Sequence, residues 1–341
     1  MSLRIVPVTG QDEAEYAALH AVKVEAWLYQ RPHGDLFGAE ADRVQLVRPS
    51  SILDVQAWAA VAERRVVGCA GAGWPLRDNT RTGDVWLAVL PSDRRRGVGS
   101  ALLDTLLAEA TRRERTTLFT ETERPLSVAP ERHGGTAFLH ARGFTVGLPQ
   151  THYVLSLPVA DPVLRALADE VAGPSAAYSL VSWVDRCPDR FAESLCRLLT
   201  AFLTEAPTGE LEMAEEQWTV ERLRESEARR LAQGRTSHTT AAVAPDGELA
   251  GHTELFVSDD AVRGGGDQSG TLVLPAHRGH RLGLAMKVEN LRRLQAVDPR
   301  ERLLHTWNAN GNTAMIDVNA RLGFEAVESA DLWQRRLGGE R

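Results

Sequence analysis

Three consecutive arginines, Arg94, Arg95 and Arg96, lead into Gly97, Val98, Gly99 and Ser100, and then into an apolar run. A glycine-rich turn that opens a helix leaves backbone N–H groups without internal acceptors, and with the helix dipole these form an anion site. Glycine lets a phosphate approach the backbone closely, and guanidinium groups add charge-assisted hydrogen bonds to its oxygens. A relative of this stretch returns as Arg278, Gly279, His280, Arg281, Leu282 and Gly283, and the prolines that introduce the two turns, Pro91 and Pro275, stand about half a chain apart. Neither copy has the lysine of a P-loop, and Leu102 stands where a dinucleotide fingerprint needs its third glycine. The chemistry left to these residues is the holding of a phosphate group by a bare turn.

Elements of matching kind must carry the two turns, and the chain supplies them twice. The first copy runs from a strand-like Leu3–Val8 through a helical Asp12–Tyr29, a hairpin over Ala57–Trp74 turning at Glu63-Arg64-Arg65, and a strand over Asp84–Leu90. The second runs from Tyr178–Val184 through Asp189–Leu203, a hairpin over His238–Val257 turning at Pro245-Asp246-Gly247, and a strand over Ser269–Leu274. Each last strand passes through its proline and turn into a helix, Gly99–Arg113 in one copy and Leu282–Gln295 in the other. Each copy later ends a helical run on Gly-Phe, and Gly143 and Gly323 keep nearly the offset of the two prolines. A repeat that takes up half the chain is a pair of domains, since solenoid units run roughly 20–50 residues. The expected division is a first domain over residues 1–157, a linker over 158–176 and a second domain over 177–341. Val262–Gly270, rich in glycine, is expected as a mobile surface loop.

Composition narrows the class. The 341 residues, 43% hydrophobic and 25% charged, suit a folded chain of two domains. A formal net charge of -7 argues against nucleic acid as the main partner and tolerates a cationic one. Cys69, Cys187 and Cys196 show no CxxC spacing, so neither a disulfide framework nor a metal site is expected. No apolar run reaches the roughly 20 residues of a membrane span, and the opening MSLRIVPVTG lacks secretory character. The expectation is a soluble, cytoplasmic protein with neither a membrane nor a nucleic-acid partner.

A strand, then R/Q-x-x-G-x-G/A opening a long helix, then N-x-x-A-x-x-x-Y-x-x-x-G-F, is the hallmark of the GNAT acetyltransferases, and the chain resembles that family in two tandem copies covering nearly its whole length. The resemblance implies an α/β protein of α+β type with two GNAT-like domains, each a mixed, mostly antiparallel sheet flanked by helices. It implies acetyl-coenzyme A as co-substrate, with the pyrophosphate held by Arg94, Arg95, Arg96, Gly97, Val98, Gly99 and Ser100 and the pantetheine arm along the strand at Val89. The second copy would offer Arg278, Gly279, His280, Arg281, Leu282 and Gly283, with Val273 on its strand. Each copy departs from the pattern. Arg281 stands at the family's first glycine. Asn312 keeps the family's asparagine, and so joins the expected coenzyme contacts, where the first copy has Arg132. The tyrosine that often serves as general acid is replaced by Leu139 and Asn319.

Acetyl transfer to an amine needs an unprotonated nucleophile, a polarised thioester carbonyl and a proton for the leaving thiolate. A splayed strand pair can supply the polarising N–H. Glu254, on the strand before the second turn, matches the catalytic glutamate that some family members carry there, with His252 two residues earlier on the same strand face. Gly71 lies opposite in the first copy, which has only His140, beside Leu139, as a candidate acid. The expectation is therefore that the second half transfers the acetyl group to a primary amine of a small molecule, while the first binds coenzyme A or serves as scaffold. The acidic Glu205–Trp218 would border a cationic acceptor, and Trp27–Gly38 is its counterpart in the first copy. A non-catalytic acyl-coenzyme A binder and a protein-modifying acetyltransferase remain as alternatives.

Overall fold

A computed structural model describes residues 3–300 and 302–338. In chain order the elements are β1 (Leu3–Val8), α1 (Glu13–Leu28), α2 (Ala39–Val47), β2 (Leu53–Ala62), β3 (Arg65–Pro75), β4 (Thr82–Val89), α3 (Val98–Arg112), β5 (Thr117–Pro125), α4 (Gly134–Ala141) and β6 (Thr145–Leu148). There follow β7 (Gln150–Leu157), α5 (Asp161–Ala172), β8 (Ser179–Val184), α6 (Asp189–Glu205), α7 (Val220–Ala232), β9 (Arg235–Val243), β10 (Leu249–Ser258) and β11 (Gly266–Val273). The last are α8 (Leu282–Val297), β12 (Arg302–Ala309), α9 (Thr313–Leu322) and β13 (Glu325–Arg336). They form two compact units, one of Met1–Gln150, Thr208–Ala214 and Glu328–Arg341, the other of Thr151–Pro207 and Glu215–Val327. The first unit thus takes its final strand from the far end of the chain. Among the described residues no helix is long and apolar enough to cross a membrane.

The sheet of the first unit runs β1-β2-β3-β4-β5 and then the Glu328–Arg336 part of β13, with β6 also paired to β13. Its pairs are antiparallel except β4 with β5. Strand alternation sends Trp58, Ala60 and Ala62 of β2 into one core with Leu102, Leu103 and Leu106 of α3, and Ala57 and Ala59 into another with Tyr16, Leu19 and Val22 of α1. On β4 and β5, Val85 and Leu118 belong to the α3 face and Trp86 to the α1 face. Glu121 and Glu123, whose positions alternate with Leu118, share that α1 face.

The second unit repeats the scheme in the order β7-β12-β11-β10-β9-β8, with β11 and β12 the parallel pair. The residues between the two copies are largely α5, whose Leu164, Leu167 and Val171 pack with Leu284, Val288 and Leu291 of α8. On the other side of this sheet Phe191, Leu195 and Leu198 of α6 meet Leu223 of α7. The stretch expected as a loop over Val262–Gly270 is strand from Gly266 onward. There a Cβ would lie 2.6 Å from the Phe256 carbonyl, so glycine marks a close approach between strands rather than a free turn.

Candidate functional site

In the first unit β4 ends at Val89 and the chain passes through a single 3-10 turn, Pro91–Asp93, into α3. Arg95 at φ +63° and Gly97 at φ +85° bend the backbone twice through the left-handed region. Gly97 is the N-cap residue and no side chain caps the helix. The first intrahelical bond here runs from the Ala101 N–H to the Gly97 carbonyl at 3.0 Å, which leaves the Val98, Gly99 and Ser100 amides without helical acceptors. A Cβ at Gly97 would meet nothing within 4 Å. Open amides and empty space are what an approaching diphosphate needs, and this turn fits one.

The three arginines divide their work. Arg94 Nε donates to the Val89 carbonyl at 3.1 Å, Nη2 reaches the Ala26 carbonyl at 3.3 Å, and the guanidinium lies 5.0 Å over the Tyr29 ring, so it braces the strand end. Arg96 lies 3.4 Å from buried Asp93, which also takes Arg65 at 3.0 Å. Burial pushes the Asp93 carboxyl up, but the Ser92 hydroxyl and the Arg65 and Arg96 charges outweigh it and hold it below its ordinary value. Arg95 is exposed and makes no hydrogen bond or ion pair among the described residues. Arg142, at the end of α4, donates to the Ser100 hydroxyl and brings a further cation to the helix start. The sequence reading did not single it out.

The second turn keeps the backbone and changes its charge. Gly279 at φ +86° and Arg281 at φ +55° occupy the two left-handed positions held by Arg95 and Gly97 in the first turn, with arginine and glycine exchanged. Arg281 pairs with Glu170 of α5, which also takes Arg321. Arg278 Nε braces the Val273 carbonyl at 3.2 Å, as Arg94 does for Val89, but its Nη2 lies 2.6 Å from Glu205. His280 contacts the Pro174 carbonyl at 3.3 Å and lies beside Tyr178, whose hydroxyl is 3.1 Å from His277. Leu282 is buried, and a Cβ at Gly283 would make only an ordinary contact, 4.0 Å from the Thr271 methyl. With two carboxylates drawn onto its arginines, this turn suits an anion less well than the first.

Beside each turn the parallel strands part. In the first unit β4 and β5 pair only over Thr82–Thr117, Gly83–Leu118 and Asp84–Phe119, after which Val85–Val89 and Thr120–Pro125 diverge. In the second, β11 and β12 pair only at Gly266–Leu304 and Asp267–His305. Such a splay exposes strand-edge N–H and C=O groups to a ligand. The first opening carries carboxylates on its α1 face, Glu121 and Glu123 on β5 and Asp84 on β4. Glu123 is held 2.5 Å from Arg31. Glu121 is solvent-exposed and makes no hydrogen bond or ion pair among the described residues. Although its side chain reaches solvent, the protein crowded around the opening desolvates the carboxyl, and this, then the Glu123 charge, drives it up to about 7; Asp84 adds to this, while Arg31 and Lys23 oppose it. Counting from the last paired residues, Trp307 and Ala309 of the second unit stand where Glu121 and Glu123 stand in the first.

The residues expected to do chemistry in the second unit lie among the following neighbours. Glu254 lies where β10 shifts register against β11, accepts from the Ser237 hydroxyl at 3.1 Å and sits 3.6 Å from Arg230 of α7. His252 is buried, its Nδ1 has no partner among the described residues, and burial lowers its pKa to about 4. Asn312 caps α9 through the Met315 N–H at 3.3 Å. Asn319, at the family's tyrosine position, is buried between Lys287 at 2.8 Å and Asn308 at 2.7 Å. In the first unit Leu139 is core, and exposed His140 meets the Trp333 ring edge-on at 4.8 Å. Within the acidic Glu205–Trp218, Glu205 pairs with Arg278, Glu212 with Arg336 and Glu216 with Arg222. Glu205 and Trp218 nevertheless border a cavity of about 570 Å³, with Glu193, Cys196, Thr200 and Glu215.

The signal for Glu121 was in the sequence. Thr117–Pro125 reads as a strand, and glutamates two apart on a strand share a face. What the sequence lacked was the point at which that strand leaves its neighbour.

Residues 54–146 match the family described as Acetyltransferase (GNAT) domain. Over its full length the chain is similar to a tandem GNAT protein from the clavulanic acid biosynthesis pathway, solved without AcCoA, with a TM-score of 0.81, 29% identity and 100% of both chains covered. A GCN5-related N-acetyltransferase from Sphaerobacter thermophilus shares the fold at a TM-score of 0.65 and 14% identity, over 99% of this chain and 98% of that one. So does a GCN5-related glucosamine N-acetyltransferase region in a fungal multi-domain GH3 beta-N-acetylglucosaminidase, at 0.67 and 14%, over 98% of this chain and 38% of that one. No curated protein matches the sequence.

Proposed function

We propose that this chain, whose residues 54–146 match the GNAT acetyltransferase domain and whose full length is similar to a tandem GNAT protein, is an acetyl-coenzyme A-dependent N-acetyltransferase whose first unit performs the transfer. The observation that carries this reading is Glu121, a carboxylate without a partner among the described residues, on one arm of a strand opening whose other arm ends at an uncapped helix start. Acetyl-coenzyme A would supply the activated acyl thioester. The amides of Val98, Gly99 and Ser100, with Arg95, would hold its diphosphate, and the edge of Val85–Val89 would align its arm. Arg94 and Arg278 are read as braces of the strand ends and not as phosphate ligands.

Glu121 would take the proton that an incoming ammonium must lose. A base whose pKa lies near neutrality does this well, because it is partly ionised while still holding a proton firmly once it has one. Asp84, Glu121 and Glu123 favour a cationic acceptor at this opening, and the reading is a primary amine on a small molecule. With Leu139 in the core, the family's tyrosine step has no counterpart in this unit, and the departing thiolate would draw its proton from solvent.

A second reading, in which the second unit transfers the group through Glu254, is favoured by the cavity that Glu205 and Trp218 border. Calorimetry with acetyl-coenzyme A and thiol release across a panel of amines separate the two. Gly99→Glu, which puts a carboxylate against the first turn, should abolish uptake and turnover, and Gly283→Glu should spare both. Loss of turnover in Gly283→Glu or Glu254→Gln alone would move the chemistry to the second unit.

A further inference from the structure

Arg31, in the connection between α1 and α2, belongs to neither the turn nor the strand opening, yet it is buried. Its guanidinium forks onto Glu328 of β13, with Nε donating to the two carboxylate oxygens at 3.1 and 3.2 Å and Nη2 at 2.7 Å. The same Nη2 lies 2.5 Å from Glu123 of β5. Both carboxylates are buried, their side chains 1% and 5% exposed. Burial by itself would favour loss of the guanidinium proton, and the Glu123 and Glu328 charges more than restore it.

The charged groups that face Glu121 come from several elements. Glu123 of β5 and Asp84 of β4 repel its charge, whereas Arg31 and Lys23 of α1 attract it. Lys23 is itself paired with Asp42 of α2 and lies 4.6 Å over the Trp86 ring. Arg31 is therefore the cation that ties Glu123, the nearest anion to Glu121 along the strand, to a fixed partner.

We propose that Arg31 is a positioning residue for the transfer site: by holding Glu123 and Glu328 together on one planar fork, it leaves Glu121 as the carboxylate of this group whose lone pairs face the acceptor and whose proton is free to come and go. The proposal rests on the reading of Glu121 as the base. Without the guanidinium, Glu123 and Glu328 would be buried with no fixed cation between them, and the Glu123 charge would bear more heavily on Glu121. A lysine keeps the charge but not the fork, so it should restore only part of the arrangement.

The test follows the carboxyl carbons of the full-length protein, labelled with ¹³C at the glutamate side chains, through a pH titration by NMR. Glu121 is assigned as the signal missing from Glu121→Gln. In Arg31→Met its midpoint should move to higher pH by about one unit or more, the usual effect of losing a nearby opposite charge, and in Arg31→Lys by less. Glu328→Gln leaves Arg31 less neutralised and should move the midpoint the other way, which keeps the proposal testable if Arg31→Met does not fold. An unmoved midpoint in the folded variants overturns the role given to Arg31. Undiminished thiol release by Glu121→Gln would instead overturn the reading of Glu121 as base, whatever the midpoints do.

Discussion

Glu121 and Trp307 occupy the same place in their respective units, each two residues beyond the last pairing of the parallel strands. One is a carboxylate without a partner among the described residues, and the other is an indole stacked at 4.7 Å on His152. The exchange parallels that at the turns, where glycine and arginine trade places between Gly97 and Arg281. Both differences point the same way. Beside its open amides the first unit keeps a group able to accept a proton, while the second has an aromatic stack and arginines paired to carboxylates.

Replacing Glu121 by glutamine should lower turnover by about 10²–10⁴-fold, the usual span for a lost general base, with acetyl-coenzyme A affinity unchanged. Because the base works when deprotonated, the native rate should rise with pH through about 7, and Glu121→Gln should lose that limb. Stability carries the same sign. A carboxyl whose folded pKa is raised contributes stability below its unfolded value, and loses that contribution as pH rises through the folded one. The melting temperature of Glu121→Gln relative to the native protein should therefore climb from pH 5 to pH 8. A flat difference would mean that Glu121 titrates like a free side chain.

Much of this arrangement was legible in the sequence because it rests on local rules. The arginine-glycine turns, the helices after them and the spacing of the two copies depend on neighbouring residues, and the observed α3 and α8 begin within one residue of the expected starts. The role proposed for Glu121 was hidden because strand alternation assigns a face, whereas the parting of β4 from β5 is a property of the assembled sheet. The same holds for Glu254. Its partner Arg230 lies on α7, and no local signal joins that helix to the bulge in β10. β13 reaches β5 from the opposite end of the chain, and tertiary choice alone makes that pairing.

The left-handed position at Gly97 should be the sensitive one of the first turn. Gly97→Ala faces no steric neighbour, so its cost is that of the backbone, about 1–2 kcal/mol. Gly99→Ala, inside α3, would place its Cβ 3.6 Å from Phe138, an ordinary contact, and should change stability by less than about 0.5 kcal/mol. Urea unfolding of the two variants checks the order. Equal losses would mean that contact, and not conformation, fixes glycine at this turn.

Charge pairing at the second turn yields a gain-of-binding prediction. Glu170→Gln with Glu205→Gln would release Arg281, Arg321 and Arg278 from their carboxylates. Inorganic pyrophosphate should then bind at a second place per chain, weakly and with strong salt sensitivity, because the turn is exposed. Calorimetry at low ionic strength reads the stoichiometry. An unchanged value in the double variant would show that Arg281, with a side chain at the left-handed position, closes the turn by shape and not by charge.

Lys287 offers the sharpest test of how the second unit departs from the first. It is fully buried on α8, donates to Asn319 at 2.8 Å and lies 5.7 Å over the Phe324 ring, whereas Leu103, its counterpart on α3, packs in an apolar core. Burial lowers its pKa to about 7, against an ordinary value of 10.5. Between those values the unfolded chain holds the proton more tightly than the folded one, so stability should rise with pH from about 7 toward 10.5 and level off below 7. Lys287→Met removes that slope, while the unpaired Asn319 oxygen costs about 1–3 kcal/mol. The contrast is read from unfolding curves at pH 7 and pH 9: the native protein should gain stability at the higher pH and the variant should not. Parallel behaviour of the two would mean that Lys287 stays charged when folded, with solvent reaching it through the seam between α8 and α9.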